Sequence, residues 1–96
     1  MDALTLRDAA ALGRIVTAAM EHQRVARGMD NGKVIYGTAR SIGDQAGNFA
    51  TDADDVRCCF LRVTTTTGLE AFWPTRELIE AMHDGTFLVG PETPPG

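Results

Sequence analysis

Few side chains in this 96-residue chain are of a type and spacing that could do chemistry. The strongest nucleophiles are Cys58 and Cys59, adjacent within a segment that reads as strand. A thiol attacks only as thiolate, beside a base or cation. Both cysteines are instead set among apolar residues, where a thiol packs as a small hydrophobe. Neighbouring strand residues point to opposite faces, so no disulfide is expected between them. His22 falls at the edge of a helical apolar arc and His83 near a helix C-terminus, where a positive charge is favoured. Structural roles are expected for both.

Metal and phosphate patterns fare no better. Asp52, Asp54 and Asp55, with Asp44, supply carboxylates, but a calcium loop also needs a central glycine and a closing glutamate. The cysteine and histidine positions do not match paired zinc ligands. Gly43 and Gly47 bracket Asp-Gln-Ala, which matches no phosphate-binding fingerprint. The expectation is therefore a non-enzyme with no catalytic, metal or cofactor-binding residue and no cofactor.

What positions these residues follows from composition and periodicity. The chain is long enough for one domain that buries roughly 60–65% of its unfolded surface. An apolar fraction of 44% and a charged fraction of 23% are ordinary for a globular protein. The net charge of −4 argues against a phosphate-coating role and disfavours nucleic acid as a partner. No apolar run is long enough to span a bilayer, and the N-terminus lacks a secretory pattern. With no framework of spaced cysteines, a cytoplasmic location without membrane attachment is expected. A start at Met1 reads as a complete small gene product.

Residues 5–27 read as one long helix, with Thr5 as N-cap, Asp8 reaching back to it, and Gly28 as the left-handed stop after Arg24 and Arg27. Its polar side holds Gly13, Arg14, Thr17, Glu21 and Arg24. The apolar arc is nearly twice the usual stripe of about 100°, which predicts two neighbours: the domain's own sheet and a second helix. Alanines at 11 and 18 would let that helix approach closely. An association surface of Ala11, Ile15, Ala18, His22 and Val25 is the resulting expectation, with a second copy of the chain as partner.

After the turn Asp30-Asn31-Gly32, residues 33–42 read as a strand, with Val34, Tyr36 and Ile42 on one face and Ile35, Gly37 and Ala39 on the other. Gly37 marks a bulge or a close backbone approach. A polar loop follows over 43–55, interrupted only by Phe49. From Val56 the pattern predicts a β-hairpin with Thr66-Thr67-Gly68 as its loop and Gly68 left-handed. Leu61 then faces Trp73, Val63 faces Ala71, and Arg62 and Thr64 face Phe72 and Glu70 on the other side. A one-residue slip would exchange the faces. Pro74 ends the strand, Thr75 caps a short helix through His83, Gly85 stops it, and residues 86–89 return as an edge strand.

Eight arginines against the single Lys33 indicate a GC-rich coding sequence. Asp54-Asp-Val-Arg, Leu61-Arg-Val-Thr, Gly68-Leu-Glu-Ala-Phe-Trp-Pro and Glu77-Leu-Ile resemble segments of small uncharacterised proteins of actinobacteria and their phages. The hairpin with its following helical turn and final strand also resembles part of a small SH3-like barrel. Neither resemblance implies an activity.

The expected fold is α+β: a long N-terminal helix on a small curled antiparallel sheet of three or four strands, with a second short helix after the hairpin. Residues 1–90 form the single domain and 91–96 a flexible Pro-rich tail. The core is placed at Leu12, Val16, Val34, Leu61, Val63, Trp73, Leu78, Ile79 and Met82. The function expected first is a non-enzymatic protein-interaction module, a homodimer through the first helix and a phage accessory protein acting on a host or cellular protein. The second is a small nucleic-acid-binding barrel using Arg7, Arg14, Arg24 and Arg27, with Tyr36 or Phe72 for stacking.

Overall fold

The hairpin forms in the expected register. A computed structural model of the chain describes residues 6–43 and 60–93. Within it, Leu61 pairs with Trp73, Val63 with Ala71, Arg62 with Phe72 and Thr64 with Glu70, across the strands Phe60–Thr65 and Glu70–Pro74. These are β3 and β4. Gly68 sits at φ 86° and donates its N–H to the carbonyl of Thr65 at 2.9 Å, while Thr65 donates to Leu69 at 2.8 Å. Leu61, Val63 and Trp73 are buried on one side. Cys58, Cys59, Phe49 and the four aspartates between 44 and 55 lie outside the described residues, as do Thr5 and the segment 56–59 where the hairpin was expected to begin.

The first helix is shorter than its sequence pattern. It runs over Leu6–Met20 (α1), and the strand Arg24–Gly28 (β1) replaces its predicted last turns. The stop is His22, not Gly28. His22 takes φ 52°, and the N–H of Gln23 donates back to the carbonyl of Ala18 at 2.9 Å. This is the six-to-one bond of a Schellman termination, with a histidine where glycine is usual. A left-handed conformation costs a non-glycine residue about 1–2 kcal/mol, and glycine's greater unfolded freedom takes back part of that. His22→Gly is therefore expected to raise stability by up to about 1 kcal/mol. Urea denaturation measures it, and a loss of stability would contradict the assigned termination.

Five strands form one antiparallel sheet in the order β4-β3-β2-β1-β5, where β2 is Val34–Gly43 and β5 is Phe87–Val89. The expected three or four strands gain β1, whose residues had been assigned to the helix. In β2 the register shifts between Ala39 and Ser41, so Arg40 is an extra, bulged residue. The bulge reverses the alternation. Ile35, Gly37 and Ala39 face inward before it and Ile42 after it, which leaves Val34 48% exposed rather than in the core. Gly37 is not the bulge but the close approach. A Cβ there would meet Val63 Cγ1 at 2.6 Å and the carbonyl oxygen of Thr64 at 2.7 Å.

Three strands separate β4 from β5 in the sheet, a span of about 19 Å if it were flat. Yet Trp73 of β4 and Phe87 of β5 meet edge to face, ring centroids 6.1 Å apart. The sheet therefore curls until its edges approach across the core. The helix Thr75–Asp84 (α2) links those edges and packs on both β4 and β5, as well as on α1. Pro74 precedes it and Thr75 is its first residue, fully buried rather than an exposed cap. Gly85 ends it at φ 78°, with Thr86 donating to Ala81 at 2.8 Å. Leu12, Val16, Leu78 and Ile79 are buried as expected, and Met82 packs at the margin.

The first residues of the predicted tail are ordered. Gly90–Glu92 form a 3-10 turn, Glu92 pairs with Arg14, and the Thr93 hydroxyl donates to the Arg24 carbonyl at 3.1 Å. No helix among the described residues is long and apolar enough to cross a membrane.

Candidate sheet-face interaction site

The two faces of the curled sheet have different chemistry. Its concave face carries Val25, Ala39, Ile42, Leu61, Val63, Trp73, Phe87 and Val89, all buried with α1 and α2. Alternation sends the intervening residues to the convex face, which no described helix covers. Strand pairing arranges them in rows. Arg24, Thr38, Thr64 and Glu70 lie side by side across four strands, and Ser41, Arg62 and Phe72 form the next row. Leu88, Ala26 and Tyr36 form a third row, in which Ala26 is 3% exposed.

Hydrogen bonds organise the middle of this face. The bulged Arg40 donates from Nε to the Thr64 hydroxyl at 3.1 Å, and Arg62 donates from Nε to the Glu70 carboxylate at 3.0 Å. Beside them Phe72 is 61% exposed, a large ring held in water on a strand whose other side is core. Four strand steps and two inter-strand steps place Tyr36 about 16 Å from Phe72 along the sheet. The patch is thus two aromatic side chains with arginines and hydroxyls between them.

The expected helical surface is placed elsewhere. Ala11, Ile15, Ala18 and Val25 are each at most 6% exposed inside the single chain. The wide apolar arc of α1 does have two neighbours, but the second is α2 of the same chain. Val25 is not on the helix, and His22 is its left-handed terminator, exposed in the turn. These five residues therefore form no common external surface. The four arginines are likewise divided. Arg7 and Arg14 are on α1, with Arg14 paired to Glu92, whereas Arg24 and Arg27 are on β1. Only Arg24 reaches the convex face.

Arg27 has a structural task. Its side chain is 15% exposed, pairs with Glu77 at 3.1 Å and lies 5.3 Å from the ring centroid of Trp73. It closes the core where β1, β4 and α2 meet. Arg27→Ala is expected to cost about 1–2 kcal/mol through lost packing and cation–π attraction. Because the chain has a single tryptophan, a shift in its fluorescence should accompany the loss. Unchanged stability and emission would remove this role.

Two other clusters bring polar groups together. His83 Nε2 lies 2.6 Å from Asp8 Oδ1, a part-buried pair tying α2 to α1. A cleft of about 540 Å³ lies between Gly13, Arg14 and Thr17 of α1 and the Val89–Glu92 segment. The Arg14–Glu92 pair occupies its polar side. No group of three or more potential metal ligands occurs among the described residues.

No family model matches the chain, and no curated protein or solved structure matches it either.

Proposed function

We propose that this chain is a non-enzymatic interaction module that engages its partner on the convex face of its sheet. One observation carries the reading: a face that no described helix covers holds the exposed ring of Phe72 beside Arg40 and Arg62, on a paired strand hairpin. Aromatic and arginine side chains are the groups that dominate binding energy at interfaces. Three polar pairs away from this face have structural tasks instead. Arg14–Glu92, Arg27–Glu77 and Asp8–His83 are pairs that join elements of the fold.

The partner proposed from the sequence, a second copy bound through α1, needs a face that the chain's own sheet and α2 fill. The convex face is free of that difficulty. Immobilised wild-type protein is expected to retain companions from a bacterial lysate that a Phe72→Ala/Arg40→Ala variant releases. An Arg14→Ala variant, altered on the far side of the fold, should retain them. Equal retention by all three proteins would sink the sheet-face reading.

A further inference from the structure

We infer that the occupant of this face is single-stranded nucleic acid, laid across Arg40 and Arg62 with bases against Phe72 and Tyr36. The inference rests on the sheet-face reading and names its ligand.

Three observations select this chemistry. First, the face is positive. Among the described residues, Arg24, Arg40 and Arg62 stand on it with one acid, Glu70, which pairs with Arg62 and leaves Arg24 and Arg40 as the uncompensated cations. The remaining described acids lie off it: Asp8 on α1, Glu21 in the turn after it, Asp30 in the β1–β2 turn, Glu77, Glu80 and Asp84 on α2, and Glu92 in the 3-10 turn. The described residues carry eight acidic and eight basic side chains, so the acidic excess belongs to residues 1–5 and 44–59. The described charges of the face favour an anionic ligand.

Second, the middle of the face is polar. Thr38, Thr64 and Ser41 offer hydroxyls between the arginines. An amphipathic helix needs a continuous apolar stripe to pack on, and these hydroxyls separate the Leu88–Ala26–Tyr36 row from Phe72. An extended peptide would have to satisfy its own N–H and C=O groups. The face of a sheet has no backbone partners to give, because its own are engaged between strands. A nucleic-acid strand needs only phosphate partners and surfaces for its bases.

Third, the two rings are placed for a strand and not for a duplex. Base stacking on aromatic side chains requires unpaired bases. The separation of about 16 Å set by strand geometry is the reach of two to three nucleotides. Arginine and threonine between the rings would then meet the intervening phosphates.

Fluorescence anisotropy with a labelled oligothymidylate of about 12 nucleotides, within the range of single-strand site sizes, tests this. Wild-type protein is expected to bind, and binding should weaken steeply between about 50 and 200 mM salt. Arg40→Ala should lower the slope of log affinity against log salt by about 0.7, the loss of one phosphate contact. Phe72→Ala should weaken binding about tenfold at an unchanged slope, because stacking releases no counterion. Arg14→Ala, across the fold, should leave both quantities alone.

The inference is overturned by no binding near 50 mM salt, by wild-type binding by both face variants, or by displacement of the oligonucleotide by polyglutamate at equal charge. The last would identify an acidic protein surface as the ligand. Companions that survive nuclease treatment of the lysate, yet are lost in the Phe72→Ala/Arg40→Ala variant, would refute nucleic acid while leaving the sheet face as the binding surface.

Discussion

Val25→Asp is expected to unfold the protein, not to release a folded monomer. Val25 is fully buried in β1, paired with Gly37 on one side and Val89 on the other. Its side chain enters the core beside residues of α1. An unpaired carboxylate there carries an effective desolvation penalty of several kcal/mol, added to about 1.5–3 kcal/mol of lost valine burial. A domain holds only about 5–15 kcal/mol in total. Circular dichroism and Trp73 fluorescence should both report the loss, and Val25→Ala should remain folded but weakened. Had residue 25 lain on a helix at a subunit interface, the aspartate variant would fold and change only its association state. A folded Val25→Asp protein of near wild-type stability would therefore remove β1 from the core.

Gly37→Val should destabilise the fold by about 3 kcal/mol, at the upper end for overpacking. Two contacts would be violated by the β-carbon itself: Val63 Cγ1 at 2.6 Å and the Thr64 carbonyl oxygen at 2.7 Å. The valine can be moved or trimmed, but the carbonyl belongs to the β3 backbone and moves only if the strands part. Val63→Ala in the same chain should accordingly recover part of the loss and no more. A thermodynamic cycle of the two changes separates these contributions. Full recovery would show that the backbone approach is not limiting, and an undisturbed Gly37→Val protein would contradict the packing of β2 on β3.

Both predictions bear on how differently the two halves of the chain could be interpreted. From Leu61 to Gly85 the signals are local and agree with one another. A left-handed glycine closes the hairpin, alternation puts Leu61, Val63 and Trp73 on one side, Pro74 ends the strand, and Gly85 ends the helix. Each signal acts over a few residues, so register and boundaries follow from it directly. Residues 21–28 had no such agreement. Arginine and alanine favour a helix, and Gly28 resembles its stop. The chain instead turns at His22 because β1 can then pair with both β2 and β5. That gain depends on strands 10 and 60 residues away, beyond the reach of local propensity.

The candidate site divides along the same line. Alternation placed Arg62 and Phe72 on the side of the hairpin away from Trp73, and named Tyr36 and Phe72 as stacking groups. It joined them to arginines of a helix, however, because nothing local marked Arg40 as a bulge or moved Arg24 onto a strand. The width of α1's apolar arc correctly implied two neighbours, but an amphipathic pattern records how much surface must be covered and not which element covers it. The hairpin, the Gly85 stop and the apolar periodicity were settled by short-range stereochemistry and side-chain solubility. The fifth strand, the curl that brings Trp73 to Phe87, and the assembly of Arg24, Arg40, Arg62 and Phe72 on one face of the sheet required long-range pairing, since only closure of the sheet sets distant residues side by side.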